Sequence, residues 1–190
     1  VPFEIIEDTG PKPGTVTKAR VVAHFKPEGR YPVDMVRLAF WTTDEQSRLV
    51  EIQADVYLPQ VTVTSSFPVL VYAAGTTGLS DDCAPLDEQE RQRNWGNYQG
   101  HSLSYAAQGY VVVLSNWLGL DDPERSHPYF VSETQAHVLL DAARAAYDLF
   151  EGTWLEGGGE QAGDTPLLAR PSKAVFLMGY SSGGHAIFAA

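Results

Sequence analysis

The sequence predicts an α/β fold in which antiparallel opening strands lead into a mostly parallel sheet, and three observations carry this. Val21 to Phe25, Val33 to Trp41 and Leu49 to Leu58 are rich in β-branched and aromatic residues with partial alternation, bounded by Pro27, Gly29, Pro32 and Pro59. Val69 to Ala73, Val111 to Leu114 and Ala174 to Met178 are instead short, nearly unbroken apolar runs, the pattern of strands covered on both faces. Helical stretches separate those three runs, giving strand, helix, strand, helix, strand.

The first helix is expected over His101 to Gln108, closed by Gly109. The second has the stronger signature. Ser132 and Gln135 have capping-box spacing, and Ala136, Leu139, Leu140, Ala143, Tyr147 and Phe150 follow at helical spacing to form one apolar face. Gly152 to Thr165, with Gly157-Gly158-Gly159 inside it, reads as a surface loop and a candidate mobile or cleavable site. Ligands of such sheets bind at the carboxyl ends of the strands, which places the segments after Ala74, Ser115 and Tyr180 on one rim.

With 190 residues, 44% hydrophobic and 19% charged, the chain can bury a substantial core and fits one domain. Thirteen Lys and Arg against 24 Asp and Glu give a net charge of −11, which opposes binding to nucleic acid or to an anionic membrane. The acidic residues gather in Asp81-Asp82, Asp87-Glu88-Gln89-Glu90 and Asp121-Asp122-Pro123-Glu124, where loop solvation accounts for them. Cys83 is the single cysteine, so a disulfide would need a partner beyond these residues, and zinc sites of several cysteines are excluded. No apolar run is long enough for a transmembrane segment. The start at Val1-Pro2-Phe3 fits a processed, extracellular (secreted) protein and equally a trimmed chain.

Gly179-Tyr180-Ser181-Ser182-Gly183 follows one apolar run and precedes a plausible helix, the order required of a nucleophile elbow. The chain must reverse within one residue, so side chains at 179 and 183 would collide with the neighbouring strand and helix, and Gly184 is expected to add clearance. Ser181 is therefore the candidate catalytic nucleophile, and the N–H of Ser182, at the helix start, the candidate oxyanion donor. A second donor is expected in the loop Ala74-Gly75-Thr76-Thr77-Gly78, at the N–H of Thr76. Trp117, Tyr129 and Trp95, with Tyr98, Leu118 and Phe130 in the same loops, are candidates to line an apolar substrate pocket. Neither metal nor organic cofactor is implied.

Together these motifs resemble the α/β-hydrolase superfamily, and within it the secreted lipase and esterase branch that includes yeast lipase A-type enzymes and bacterial secretory lipases. The resemblance runs over residues 68 to 190. It rests on Gly75-Thr76-Thr77-Gly78 with Cys83-Ala84-Pro85, on Gln108-Gly109-Tyr110-Val111-Val112-Val113, and on Gly179-Tyr180-Ser181-Ser182-Gly183-Gly184-His185. Ala74 departs from it, since relatives often carry His there. The resemblance implies a serine esterase or lipase that cleaves carboxylic esters of small molecules or lipids through an acyl-enzyme.

A serine needs a general base oriented by a carboxylate, and in this fold both follow it in the chain. His185 alone among the ionisable side chains follows Ser181, on the helix leading away from it. His127 lies on the rim but precedes the serine, while His24, His101 and His137 fall on a strand and two helices. The expectation is therefore that residues 1–190 are the amino-terminal part of one α/β-hydrolase domain, with opening strands over 1–60 and the core over 68–190. The carboxy-terminal remainder would supply the Asp or Glu and the His. A serine peptidase of the same fold and a non-catalytic binding module remain alternatives on sequence.

Overall fold

The computed structural model describes residues 10–151 and 167–190, so the expected loop from Gly152 to Thr165 and the start at Val1 lie outside the described residues. Strands β1 (Val16–Phe25), β2 (Val33–Thr43) and β3 (Leu49–Pro59) form an antiparallel meander. β4 (Ser65–Ala73) leads through two single 3-10 turns to α1 (Tyr98–Ala107) and β5 (Val111–Ser115). Helix α2 (Ser132–Glu151), β6 (Ala169–Gly179) and the short α3 (Ser182–Ile187) complete the order.

Among the described residues the strands make one six-stranded sheet in the order β1-β2-β3-β5-β4-β6. The sheet is mixed: β5 joins the meander antiparallel to β3, whereas β4 is parallel to both β5 and β6. The helices cross over as the apolar periodicity requires. Val138, Leu139, Ala142, Ala146 and Leu149 of α2 share a core with Val56, Val71 and Val113 on one face of the sheet. Tyr98, Ala106 and Ala107 of α1 pack with Tyr57, Tyr72, Val112 and Leu114 on the other. Alternation along each strand thus feeds two cores, and the β4 and β5 runs read as continuously apolar because both faces are used.

The expectation that Ala174 to Met178 is covered on both faces does not hold among the described residues. β6 is an edge strand paired with β4, and Val175 and Phe176 are 43% and 52% exposed. β6 also begins earlier than its apolar run, at Ala169, and its register with β4 shifts between Phe67 and Val69. Pro68 and Pro171 sit at that irregularity, as proline's missing N–H allows at a sheet edge or bulge.

The predicted capping box does not form. Ser132 and Gln135 bind the His185 ring instead, and the Gln135 amide N–H donates to the Val131 carbonyl. Solvation does not account for all the acidic residues either. Glu88 is 2% exposed, and its carboxylate accepts from the amides of Trp95, Gly96, Asn97 and Tyr98 at 2.7–2.9 Å. The first amides of a helix have no partner within it, so a buried carboxylate there satisfies groups that would otherwise cost about 1–3 kcal/mol each.

The β2–β3 hairpin is tied to the rim by Asp44, which is buried. It accepts from the Gln46 and Arg48 amides, from the Arg48 side chain at 2.8 Å and from Arg125 at 3.1 Å, on the loop that enters α2. Burial raises the Asp44 carboxyl, but these hydrogen bonds outweigh it and hold the group at about 2. A carboxyl lowered on folding contributes stability above its unfolded value of about 3.9, lost as pH falls to about 2. Asp44→Asn should therefore lower the urea midpoint at pH 7, and the gap from the parent should close between about pH 4 and pH 2. A gap independent of pH would show that the carboxylate charge is not what holds the hairpin.

Candidate active site

β4 and β6 run parallel with Ala73 opposite Gly179, so the segments that leave them emerge side by side on one rim. The β6 chain then reverses at Ser181, whose φ of 53° and ψ of −118° are unusual for a residue with a side chain. The reversal is possible because two flanking residues lack a Cβ. A Cβ on Gly183 would lie 2.1 Å from the Ala73 carbonyl oxygen, and one on Gly179 would lie 2.3 Å from that of Gly183. Gly184 is different: its nearest neighbour would be the Gly179 oxygen at 3.7 Å, an ordinary contact, so the extra clearance expected there is not needed.

Ser181 is exposed at the apex, and its hydroxyl makes no hydrogen bond among the described residues. Ser182 is buried at the first position of α3. Thr76, on the loop after β4, meets it directly: Thr76 Oγ1 donates to Ser182 Oγ at 3.1 Å and lies 2.8 Å from the Tyr129 hydroxyl. The backbone N–H groups of Thr76 and Ser182 carry no hydrogen bond among the described residues. Three of the residues singled out in the sequence, with Ser181 beside them, are thus brought to one place.

The other predicted pocket residues lie elsewhere. Trp117 is 3% exposed in the α2-side core, and its indole N–H donates to the Ala74 carbonyl at 3.2 Å, bracing the loop that carries Thr76. Leu118 and Tyr98 are buried as well, whereas Trp95 is half-buried against the α1-side core. Tyr129 and Phe130 remain at the surface, 39% and 47% exposed.

Sequence reasoning missed a second brace on the same loop. The Gly75 amide donates to the Tyr98 hydroxyl at 2.9 Å, and Tyr98 is set by the Glu88 carboxylate at the start of α1. Ala74 cannot brace the loop through a side chain as a histidine would, and Trp117 and Tyr98 hold its backbone instead.

Among the described residues no ring of the five histidines is hydrogen-bonded to Ser181; His185 meets it only through its backbone amide, which donates to the Ser181 carbonyl at 3.2 Å. The His185 ring is turned to α2, with Nδ1 3.1 Å from Gln135 Oε1 and Nε2 3.3 Å from Ser132 Oγ. His127 Nδ1 donates to the Leu118 carbonyl at 2.8 Å, and burial, opposed by that bond, lowers its pKa, which favours the neutral ring. His101 meets the Tyr72 hydroxyl, His137 meets Thr43, and His24 meets Asp34. Cys83 is a free, partly buried thiol 3.4 Å from Ser80 Oγ. No group of His, Cys, Asp and Glu among the described residues could hold a metal ion. A cleft of about 540 Å³ lined by His24, Asp34, Gln60 and Leu167 opens at the opposite ends of the strands and is separate from this rim.

The fold as a whole matches solved structures. The chain is similar to the rice cell wall degrading esterase LipA from Xanthomonas oryzae, with a TM-score of 0.72 and 22% identity over 94% of this chain and 45% of that one. This is the α/β-hydrolase fold. The same α/β-hydrolase likeness extends to Candida antarctica lipase A, with a TM-score of 0.63 and 22% identity over 94% of this chain and 38% of that one. The chain spans less than half the length of either. No family model and no curated protein matches it. Among the described residues no helix is long and apolar enough to cross a membrane.

The two kinds of glycine at the reversal predict opposite outcomes. Gly183→Ala should destabilise the protein by several kcal/mol, roughly the cost of a severe backbone clash. Gly184→Ala, inside α3, should leave the thermal midpoint equal or slightly higher, since alanine favours a helix by about 0.5–1 kcal/mol. Equal loss from both would contradict the close approach of Gly183 to Ala73.

Proposed function

We propose that this chain carries the nucleophile and oxyanion hole of a serine hydrolase that cleaves carboxylic esters. The observation that carries the reading is the exposed hydroxyl of Ser181 at a reversal held in a rare backbone conformation, next to two amides with no partner among the described residues. Ser181 Oγ attacks the ester carbonyl, and the Thr76 and Ser182 N–H groups hold the oxygen as it becomes negative. The alcohol leaves, and water releases the acid from the acyl-enzyme. Tyr129, Phe130 and Tyr180 are exposed aromatic side chains on this rim, whereas Trp117 supports the loop from below.

The likeness to an esterase and a lipase supports the ester class, and the cell wall degrading role of LipA favours an extracellular setting. The base and acid remain to be supplied. Each histidine described is committed elsewhere, and the exposed apolar edge at Val175 and Phe176 offers a surface for more of the same fold. We infer that a carboxy-terminal remainder of the enzyme pairs with this edge and brings the Asp or Glu and the His.

The intact protein should hydrolyse p-nitrophenyl esters much faster than peptide amides, and Ser181→Ala should lower the ester rate at least about a thousandfold. Amide cleavage at a comparable rate would favour a peptidase. Ester turnover unaffected by Ser181→Ala would remove the serine from the mechanism.

A further inference from the structure

The loop that enters α2 touches both halves of the proposed oxyanion hole. Tyr129 reaches the Thr76 side by its hydroxyl, 2.8 Å from Thr76 Oγ1. Phe130 reaches the Ser182 side by its ring, which packs edge-on to His185 of α3 with centroids 4.8 Å apart. His185 is held in turn by Gln135 and Ser132 at the start of α2. Phe130 has a φ of 59°, a region that bulky residues rarely enter and that its surroundings must hold. Arg125, earlier in the same loop, is anchored to the buried Asp44.

Proton counting fixes the direction of the hydroxyl chain. A threonine hydroxyl has one proton, and Thr76 donates it to Ser182 Oγ, so Thr76 accepts from the Tyr129 O–H. The Thr76 hydroxyl therefore has no proton left for a substrate oxygen. Its bond to Ser182 instead ties together the two residues whose amides face the oxyanion.

We propose that Tyr129 is a positioning residue for the oxyanion hole, its hydroxyl holding Thr76 against Ser182 and so setting the spacing of the two amide donors. This rests on the reading of Ser181 as nucleophile with Thr76 and Ser182 as donors. It moves Tyr129 from lining a pocket to supporting the transition state. Donors built for a developing charge must stand at the oxyanion position before the charge forms, and a support of this kind acts on turnover rather than on ground-state binding.

The test is steady-state kinetics of the intact protein on p-nitrophenyl butyrate. Tyr129→Phe keeps the ring against Phe130 and removes one hydrogen bond. It should lower kcat about 3- to 10-fold, as one net hydrogen bond implies, with KM within about twofold and the thermal midpoint unchanged. Thr76→Val should also lower kcat, adding Tyr129→Phe to it should cost nothing more, and Thr76→Ser should keep most of the parent rate. A Tyr129→Phe kcat within twofold of the parent, a loss confined to KM, or fully additive losses in the double variant would overturn the role. Ser181→Ala assayed alongside separates the two levels. Activity surviving in it defeats the hydrolase reading itself, whereas an inactive Ser181→Ala beside an unaffected Tyr129→Phe defeats the positioning role alone.

Discussion

The site depends on one close approach, that of Gly183 to the carbonyl of Ala73. A side chain at 183 would stand 2.1 Å from that oxygen, so the first turn of α3 can lie against the end of β4 only because none is present. This contact does more than turn the chain. It brings the loop after β4, with Thr76, against Ser182 and leaves Ser181 at the apex, its backbone held where an ordinary residue would not rest. Cost at Ser181, of order 1–3 kcal/mol, has to be met by the packing around it.

That packing comes from both sides of the sheet. Trp117 and Tyr98 each bind backbone of the 74–76 loop, one from the α2-side core and the other from the start of α1. Tyr98 is fixed by Glu88, a carboxylate shared by four amides. On the α3 side, His185 is locked to α2 and covered by Phe130. The loop after β4 and the reversal at Ser181 are therefore each gripped by a different helix, and Tyr129 spans the space between them.

Much of this was legible in the sequence because its signals are local. An apolar run, a Gly-x-Ser-x-Gly turn and a helix start are adjacent in the chain, and the steric need for glycine at 179 and 183 follows from the turn alone. What was not legible depends on partners far away in sequence. Glu88 sits in an acidic stretch that looks solvated until α1 folds over it. Ser132 and Gln135 have the spacing of a capping box, yet a histidine 50 residues beyond Gln135 binds both. Trp117 reads as a rim aromatic, but its indole N–H finds a carbonyl inward and the ring follows. The β6 run predicts cover on both faces, and the side chains of Val175 and Phe176 instead meet solvent at an edge.

A nucleophilic Ser181 hydroxyl is tested most directly by the site at which a fluorophosphonate attaches covalently. Incubation of the intact protein should give a single adduct, and peptide mapping by mass spectrometry should place it on Ser181, with none on the neighbouring Ser182. Absence of any adduct on protein that hydrolyses esters, or an adduct mapped to a different residue, would contradict the account.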